Sequence, residues 1–563
     1  MNRRRLFGVT GALAALALAP TRARALSGNN VDPALRELMA ADWFALLPVI
    51  VEMRPAVPPF VGGANVGRAL QALALLSAYG VPVAPLALIN AAAGFANAAA
   101  INLLSLIPTV AFIHHDRTVG PKATAAPPPP TPPAQSSSVY SRVVKADQVR
   151  EDGISGNGVT VAVLDSGVVA DLDLMGSTNR VLASVNFADQ RTVDDPGGHG
   201  THVAGIIAGN GARSDGEFAG IAPQANIVDV RVLATNGSGR VSSVVRGIEW
   251  VLAHRDLYNI RIINLSFGAP APLSYRADPF SAAVEIAWRR GLVVVAAAGN
   301  GGPGRDTVVT PGIDPYVITV GATDDLGTVE LADDVFAWFS AWGGNGSTAK
   351  PDLVAPGRRL VSVRVPGSTL DTLYPDRVVS AQNGATYFRL TGTSQATGVV
   401  SGAVALLLQR RPDLTPDQVK ALLTGNTQPF GLPGQTGLPD PIADGRGLLD
   451  ARGADQAAQS LGTPGRANSG LRPSDGFARA LYPVLFGSPL RWKNPFLGGV
   501  LWNLLTWDTL VWNSVAWDNF DWDSVAWDSV AWDSVAWDSV AWDSVAWDSV
   551  AWDSVAWDSY PLD

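Results

Sequence analysis

Cysteine is absent from this chain of 563 residues, and histidine occurs only five times. Without cysteine there can be no disulfide, no thiolate metal site and no cysteine nucleophile. The absence fits any cellular compartment and identifies none. The scarcity of histidine leaves few candidates for a general base.

Basic residues do not predominate either. The formal net charge is −9 at pH 7, and no stripe of lysine and arginine is visible. Nucleic-acid-binding domains usually carry a basic face that neutralises phosphates. We therefore expect no nucleic-acid partner.

The chain has few apolar runs that could span a membrane, but its N-terminus carries an export pattern. Arg3-Arg4-Arg5 precedes the apolar run Leu6–Leu18, and Ala23-Arg24-Ala25 has the form of a cleavage site. This pattern predicts a signal peptide over residues 1–25, and Arg4-Arg5-Leu6-Phe7 also fits a twin-arginine signal. We expect export by the Sec or twin-arginine route to a secreted or cell-surface location. A membrane anchor is the disfavoured alternative, because the run is short and rich in glycine and alanine.

Composition divides the remaining sequence into five segments. A small α+β domain is predicted first, then a Pro/Ser-rich linker, an α/β domain, a Gly/Pro-rich linker and a low-complexity tail with a tryptophan at every fifth residue. Their predicted bounds are 27–120, 121–138, 139–461, 462–500 and 501–563.

The segment 139–461 has the pattern of an α/β domain. Val- and Ile-rich stretches alternate with helical patterns, which predicts a mostly parallel sheet with helices on both faces. The strand candidates are 159–164, 226–233, 261–267, 292–298 and 317–322, and the helix candidates are 242–254, 281–289 and 398–408. In such sheets, sites form beyond the carboxyl ends of the strands.

Three short segments carry candidate chemistry. They contain Asp165 in Val-Leu-Asp-Ser-Gly, His199 and His202 in His-Gly-Thr-His, and Ser394 in Gly-Thr-Ser-Gln-Ala. A serine hydroxyl is a weak nucleophile at neutral pH, so it needs an adjacent base and a carboxylate that orients the base. The His-x-x-His spacing could also suggest a metal site, but no third ligand follows at a suitable distance.

These segments resemble those of the subtilisin-like (subtilase, S8) serine peptidases, over roughly residues 140–454. The order Asp, His, Ser along the chain is the order found in subtilisin. The resemblance implies that Asp165, His199 and Ser394 are catalytic and that His202 is structural. It also implies that the side chain of Asn300 and the backbone N–H of Ser394 form the oxyanion hole.

The resemblance also assigns the substrate-binding segments. An extended peptide would pair with the strand edge after Asn264, and small residues would line the specificity pocket. The implied substrate-binding residues are Ser266, Phe267, Gly268, Ala297, Ala298 and Gly299. Two departures from the family pattern lie beside the nucleophile: Gln395 replaces the usual methionine, and Gly398-Val399 replace Pro-His.

No cofactor is needed for this chemistry, and no metal ligand is assigned. Many subtilases bind structural calcium, and the loop Asn210–Glu217 contains oxygen ligands. Exposed Asp and Asn residues are usually only solvated, so the ligands of any such calcium are left open.

The segment 27–120 is similar in pattern to the inhibitory propeptides of subtilases. Its predicted order is strand, helix, strand, strand, helix, strand, with strands at 49–53 and 109–113 and a helix at 66–79. The resemblance implies that it acts as an intramolecular inhibitor and is cut off near residues 116–145. A purely structural N-terminal domain is the alternative.

The sequence therefore predicts a secreted serine endopeptidase that acts on polypeptides through an acyl-enzyme and is made as a self-processing zymogen. A peptide ligase on the same fold is a second possibility, since water exclusion cannot be seen in a sequence. The alternative from another class is a surface-binding protein that acts through the Trp-Asp-Ser-Val-Ala repeat, with a secondary or degenerate peptidase domain. In that case the tail would bind a cell-surface or envelope ligand.

Overall fold

The computed structural model describes residues 30–55, 64–120, 139–188, 194–272, 274–344, 349–460, 462 and 464–486. The predicted signal peptide (1–25), the linker 121–138 and the repeat tail 501–563 lie outside these residues. Among the residues described, no helix has the length and apolar character needed to cross a bilayer.

The first unit, residues 30–120, contains a four-stranded antiparallel sheet with the strand order β2-β3-β1-β4. Its order of strands and helices from β1 to β4 matches the sequence prediction. Along β1, Val49 and Val51 pack into the unit's own core, whereas Ile50 belongs to a core shared with the rest of the molecule. This alternation follows from the two faces of a strand, and it gives the sheet a second buried face. The elements are α1 (Pro33–Ala41), β1 (Leu47–Met53), α2 (Ala64–Tyr79), β2 (Val81–Leu86), β3 (Ala91–Ala96), α3 (Ala98–Ser105), β4 (Val110–His115) and the short β5 (Thr118–Val119).

The second unit, residues 139–460, is called the peptidase unit below. Its helices are α4 (Tyr140–Val143), α5 (Ala146–Glu151), α6 (His199–Ala208), α7 (Val241–His254), α8 (Pro279–Arg289), α9 (Thr369–Leu373), α10 (Thr393–Arg410), α11 (Pro416–Gly425) and α12 (Ala451–Ser460). Its strands are β6 (Thr160–Asp165), β7 (Val181–Asn186), β8 (Asn226–Arg231), β9 (Gly239–Arg240), β10 (Ile260–Leu265), β11 (Val293–Ala297), β12 (Ile318–Asp324), β13 (Val335–Phe336), β14 (Leu353–Pro356), β15 (Leu360–Ser362), β16 (Val378–Ser380), β17 (Thr386–Leu390), β18 (Thr427–Gln428) and β19 (Leu448–Leu449).

The central sheet of the peptidase unit is mostly parallel. Its order is β18-β19-β14-β12-β11-β10-β6-β8-β7, with β13 paired to β12. The pairs from β19 to β7 are parallel, and only β18 and β13 pair in the antiparallel sense. Strands β15, β16 and β17 form a separate antiparallel sheet. The predicted α/β fold is confirmed.

Helices cover both faces of this sheet. Leu164 in β6 lies under α7, where its Cδ2 is 3.4 Å from the position a Cβ would take at Gly247. The next residue, Asp165, is hydrogen-bonded to the first residue of α6. Because successive side chains of a strand point to opposite faces, α6 and α7 lie on opposite sides of the sheet.

A further helix, α13 (Asp475–Phe486), lies within the segment that composition predicts to be a linker, residues 462–500. Phe477 and Ala480 on this helix are buried. The Gly/Pro/Ser content of the preceding residues concealed this apolar face, and the sequence analysis did not predict the helix.

Candidate active site

Asp165 and His199 form a close pair at the carboxyl edge of the sheet. Asp165 ends β6 and His199 begins α6, and His199 Nδ1 lies 2.7 Å from Asp165 Oδ1. Gly200 allows this approach, since a Cβ there would lie 2.2 Å from the carbonyl oxygen of Gly167 and 3.0 Å from Cβ of Asp165. The Asp165 carboxylate can therefore fix the imidazole tautomer that leaves Nε2 free to accept a proton.

Ser394 is brought to the same edge by the packing of α10 on α6. Gly398 in α10 lies against Val203 and Ile206, and Gly402, one turn further, lies against the carbonyl of Ile207. The contacts advance in the same direction along both helices, so the two helices run parallel. Their first turns, with His199 on one and Ser394 on the other, therefore lie side by side.

The hydroxyl of Ser394 is engaged by the backbone after β10. Ser394 Oγ donates to the carbonyl of Ser266 at 2.6 Å, and Ser266 Oγ donates back to the carbonyl of Ser394 at 3.0 Å. In this conformation the Ser394 hydroxyl is bonded to Ser266 rather than to the imidazole of His199. Its activation by His199 requires this bond to Ser266 to be exchanged for one to the imidazole.

Asn300 lies after β11, with its side-chain amide fixed beside the start of α10. Its Oδ1 accepts from the N–H of Thr393 at 2.9 Å and from Thr393 Oγ1 at 3.0 Å. These two bonds fix the orientation of the amide, whose Nδ2 group is its donor end. The backbone N–H of Ser394 follows in the same first turn of α10, so this corner can hold a developing negative charge.

The segments expected to bind substrate lie at this edge, but Phe267 differs from the expectation. Ser266, Gly268, Ala297, Ala298 and Gly299 follow or end β10 and β11. The side chain of Phe267 is 2% exposed and stacks on Phe280 of α8, so it belongs to the core. Strand alternation explains this, because Ser266 and its neighbour must face opposite ways.

Val309 was not predicted as a site residue. It lies between the segment that contains Gly268 and the segment that contains Gly299. Its side chain is 2.2 Å from the position of a Cβ at Gly268 and 2.9 Å from that of a Cβ at Gly299. Both glycines leave room for this valine, whose side chain narrows the space between the two segments.

A second carboxylate, Asp195, lies behind the Asp165–His199 pair. It accepts from Ser166 Oγ at 2.8 Å, from the Gly198 N–H at 2.7 Å and from the Thr201 N–H at 2.8 Å. Ser166 Oγ in turn accepts from the N–H of Gly200 at 3.0 Å. The network ties the end of β6 to the start of α6.

Electrostatics favour protonation of His199. Burial lowers the pKa of His199, but the charge and hydrogen bond of Asp165 and the charge of Asp195 together raise it above its ordinary value. Burial raises the pKa of the nearby Asp229 carboxyl well above its ordinary value.

His202 has the opposite character. Burial and the neighbouring His199 lower its pKa to about 3. The imidazole is therefore neutral, and its Nε2 donates to the carbonyl of Phe388 at 3.0 Å. A fixed, neutral imidazole with this partner supports packing rather than proton transfer.

The two departures from the family pattern have different surroundings. At Gly398, a Cβ would lie 3.2 Å from Ile206, so the absence of a side chain permits close packing of α10 on α6. Gln395 is 1% exposed, and its Nε2 has no hydrogen-bond partner among the described residues.

No cluster of three or more His, Cys, Asp or Glu side chains that could hold a metal is found in the part of the chain that the structure describes. In the loop Asn210–Glu217, the side-chain oxygens have protein partners. Asn210 Oδ1 accepts from the Ala212 N–H at 2.9 Å, and Glu217 Oε2 accepts from the Gln382 N–H at 2.8 Å. Calcium binding stays a prediction without assigned ligands.

The end of the first unit lies against a segment that the sequence predicts to bind substrate. Thr118 and Val119 pair antiparallel with β9. The N–H of Gly120 donates to the carbonyl of Gly268 at 3.0 Å, and the N–H of Gly268 donates back at 3.3 Å. Residues 118–120 thus lie as an added strand on a segment expected to bind an extended peptide.

Comparison with known proteins agrees with the fold. The model of the subtilase family of S8 peptidases matches residues 156–458, which is more than half of the chain. The chain belongs to the subtilase family, and by class it is a serine endopeptidase.

Individual relatives cover similar parts of the chain. Serine protease AprX of Bacillus subtilis (strain 168) is 43% identical over 302 residues, covering 52% of this chain and 66% of the relative, just under two thirds of its length. Subtilisin Savinase of Lederbergia lenta is 34% identical over 290 residues, covering 51% of this chain and 90% of the relative. Subtilisin E of B. subtilis (strain 168) is 30% identical over 373 residues, covering 65% and 81%.

Proposed function

We propose that this protein is an exported endopeptidase, made as a zymogen, that hydrolyses peptide bonds through Asp165, His199 and Ser394. The observation that carries the proposal is the Asp165–His199 hydrogen bond of 2.7 Å, at the start of a helix that runs parallel to the helix bearing Ser394.

In the proposed reaction, His199 Nε2 takes the proton of Ser394 Oγ, which attacks the carbonyl carbon of the scissile bond. Asn300 Nδ2 and the Ser394 N–H bind the oxyanion of the tetrahedral intermediate. His199 then gives its proton to the leaving amine as the C–N bond breaks. A water molecule, deprotonated by His199, attacks the resulting ester and releases the acid.

The first unit acts in this proposal as the intramolecular inhibitor. Its residues 118–120 occupy the peptide-binding edge, and Asp116 caps the start of α7 by accepting from the N–H and the hydroxyl of Ser242 at 3.0 and 2.7 Å. A substrate cannot pair with Gly268 while Gly120 does so. Export of the chain and its cleavage after the first unit complete the proposal.

Labelling with a fluorophosphonate tests the nucleophile. We expect the processed protein to label and Ser394→Ala not to label. Ser401→Ala, a matched change further along α10, should still label. Failure of the correctly processed wild type to label would instead favour the surface-binding alternative that rests on the tail.

N-terminal sequencing of the secreted protein tests self-processing. We expect a mature N-terminus shortly after Gly120, within residues 121–145, in the wild type and not in Ser394→Ala. Identical trimming of both chains would mean that another protease makes the cut.

A further inference from the structure

Helix α13 and the residues before it connect the first unit to the peptidase unit. The segment 464–486 lies beyond the residues 156–458 that match the subtilase family. One part of it is bound to the peptidase unit and another part to the first unit, so it bridges two bodies that a cut in the connecting chain would separate.

The attachment to the peptidase unit is extensive. The hydroxyls of Tyr316 and Tyr275 donate to the carbonyls of Leu471 and Arg472 at 2.7 and 2.6 Å. The backbone N–H and hydroxyl of Ser474 both donate to the buried carboxyl group of Glu285, at 2.9 and 2.7 Å. These contacts fix the start of α13 on α8.

The attachment to the first unit is centred on one ion pair. Arg479 Nε and Nη2 donate to Glu52 Oε1 and Oε2 at 2.5 and 2.8 Å, a two-pronged arrangement. The Glu52 side chain is only 3% exposed, and its Oε2 also lies 2.9 Å from His114 Nε2. The side chains of Asn90 and Asn65 donate to the carbonyls of Arg479 and Ala480, at 3.4 and 3.3 Å.

We propose that α13 is a latch that retains the first unit on the peptidase unit after the connecting chain has been cut, with Arg479 as its main contact. The proposal rests on the proposed inhibitory function of the first unit. It assigns an interaction surface, made jointly by α8 and α13, whose partner is the cleaved first unit. Displacement or removal of α13 is then a step in activation, and protease activity appears at the rate at which the first unit leaves.

The energetic reason lies in the burial of Glu52. Arg479 and Glu52 form a charge-assisted, bidentate pair, which is stronger than a neutral hydrogen bond. Loss of Arg479 leaves a buried carboxylate whose remaining side-chain partner is His114, and breaking one side of a buried pair is strongly unfavourable. This free-energy cost destabilises only the complex of the two units, because Glu52 becomes hydrated once the first unit has left.

The test measures dissociation without relying on catalysis. In full-length Ser394→Ala, a recognition sequence for an unrelated protease is placed within residues 121–138, and a cysteine replaces Leu106, which is 61% exposed on the first unit. Since the chain has no other cysteine, a dye attaches there alone. After the cut, the dissociation rate of the first unit is followed by fluorescence anisotropy and size-exclusion chromatography.

We expect Arg479→Ala to raise this dissociation rate at least tenfold. Arg466→Ala, an exposed arginine of the same segment, should match the parent. Glu52→Gln should also raise the dissociation rate. In the double variant, the rate should rise by less than the product of the two single-variant factors, as expected for two residues in direct contact. A rate for Arg479→Ala within twofold of the parent would overturn the proposal.

Two further measurements separate the possible failures. If Arg479→Ala does not fold, Arg479→Lys keeps the charge without the two-pronged geometry and should dissociate faster than the parent by a smaller factor. In the active chain, Arg479→Ala should shorten the lag before activity appears. If the processed wild type labels with the fluorophosphonate but Arg479→Ala leaves the dissociation rate unchanged, the latch alone is refuted. If Arg479→Ala changes the rate but the processed wild type does not label, the enzyme proposal alone is refuted.

Discussion

Replacement of Asp195 by asparagine tests whether the second carboxylate acts on His199 or only holds the start of a helix. Asp195 is 1% exposed and accepts three hydrogen bonds, from Ser166 Oγ, the Gly198 N–H and the Thr201 N–H. All three groups donate, which favours the carboxylate form, whereas burial raises the pKa of Asp195 above its ordinary value.

The cost in stability follows from this geometry. An asparagine whose oxygen keeps the bonds to Ser166 and Gly198 turns its NH2 group toward the Thr201 N–H, and that buried donor is left unpaired at a cost of about 1–3 kcal/mol. Loss of a negative charge at the start of α6 adds about 0.3–1 kcal/mol. We therefore expect the free energy of unfolding to fall by about 1–4 kcal/mol, measured by denaturant titration of the Ser394→Ala background, which cannot digest itself.

The pH profile separates the two roles. The charge of Asp195 is one of the causes that raise the pKa of His199, after the opposing effect of burial and the larger contribution of Asp165. In the proposed mechanism the neutral imidazole is the base, so removal of this charge lowers the pKa of His199 and moves the acid limb of kcat/KM to lower pH.

The control is Asp194→Asn, the same change at an exposed neighbour, which should move neither the acid limb nor the stability. An acid limb for Asp195→Asn that coincides with that of the parent would refute the electrostatic role. Asp195 would then act as a helix cap alone.

Further substitutions test other parts of the site. Asn300→Leu should lower kcat by about 10²–10³-fold with little change in KM. This is the size known for loss of the oxyanion-hole asparagine in subtilisin, a relative of this chain. An unchanged kcat would exclude Asn300 from the oxyanion hole. Gln395→Met should raise the free energy of unfolding by about 1–3 kcal/mol, because it removes a buried donor without a partner; lower stability would show that Nε2 is bound. Gly402→Ala should cost about 1–3 kcal/mol by overpacking, whereas Gly425→Ala, with nothing within 4 Å, should be neutral or stabilising. Val309→Ala should raise about tenfold the ratio of kcat/KM for peptides with a large apolar residue before the cut to kcat/KM for peptides with alanine there. An unchanged ratio would place Val309 outside the pocket.

Much of the fold could be predicted because buried parallel strands are continuous runs of Val and Ile. The strand predicted at 159–164 is observed at Thr160–Asp165, and the helix predicted at 242–254 is observed at Val241–His254. The residues proposed for catalysis came from motifs and not from periodicity, since no pattern of burial distinguishes Asp165 from an ordinary residue at the end of a strand.

The parts that escaped prediction depend on contacts between distant segments. Asp195 stands out only when Ser166, from the end of another element, is seen to donate to it. Helix α13 follows a Gly/Pro/Ser-rich stretch, and its role depends on Arg479 meeting Glu52 from the opposite end of the chain. Phe267 was expected in the pocket because it lies within the right motif, but the alternation of the strand turns it into the core.

The spacing between the proposed base and the proposed nucleophile is set by helix packing rather than by the two side chains alone. His199 and Ser394 occupy the first turns of α6 and α10, and these helices approach closely because Gly398 and Gly402 carry no side chain. A methyl group at Gly402 would lie 2.5 Å from Cβ of Ile221, so α10 would have to shift relative to its neighbours. A shift of about 1 Å is enough to disturb a reacting geometry. The loss of activity in Gly402→Ala should therefore exceed the fraction of protein that the variant leaves unfolded.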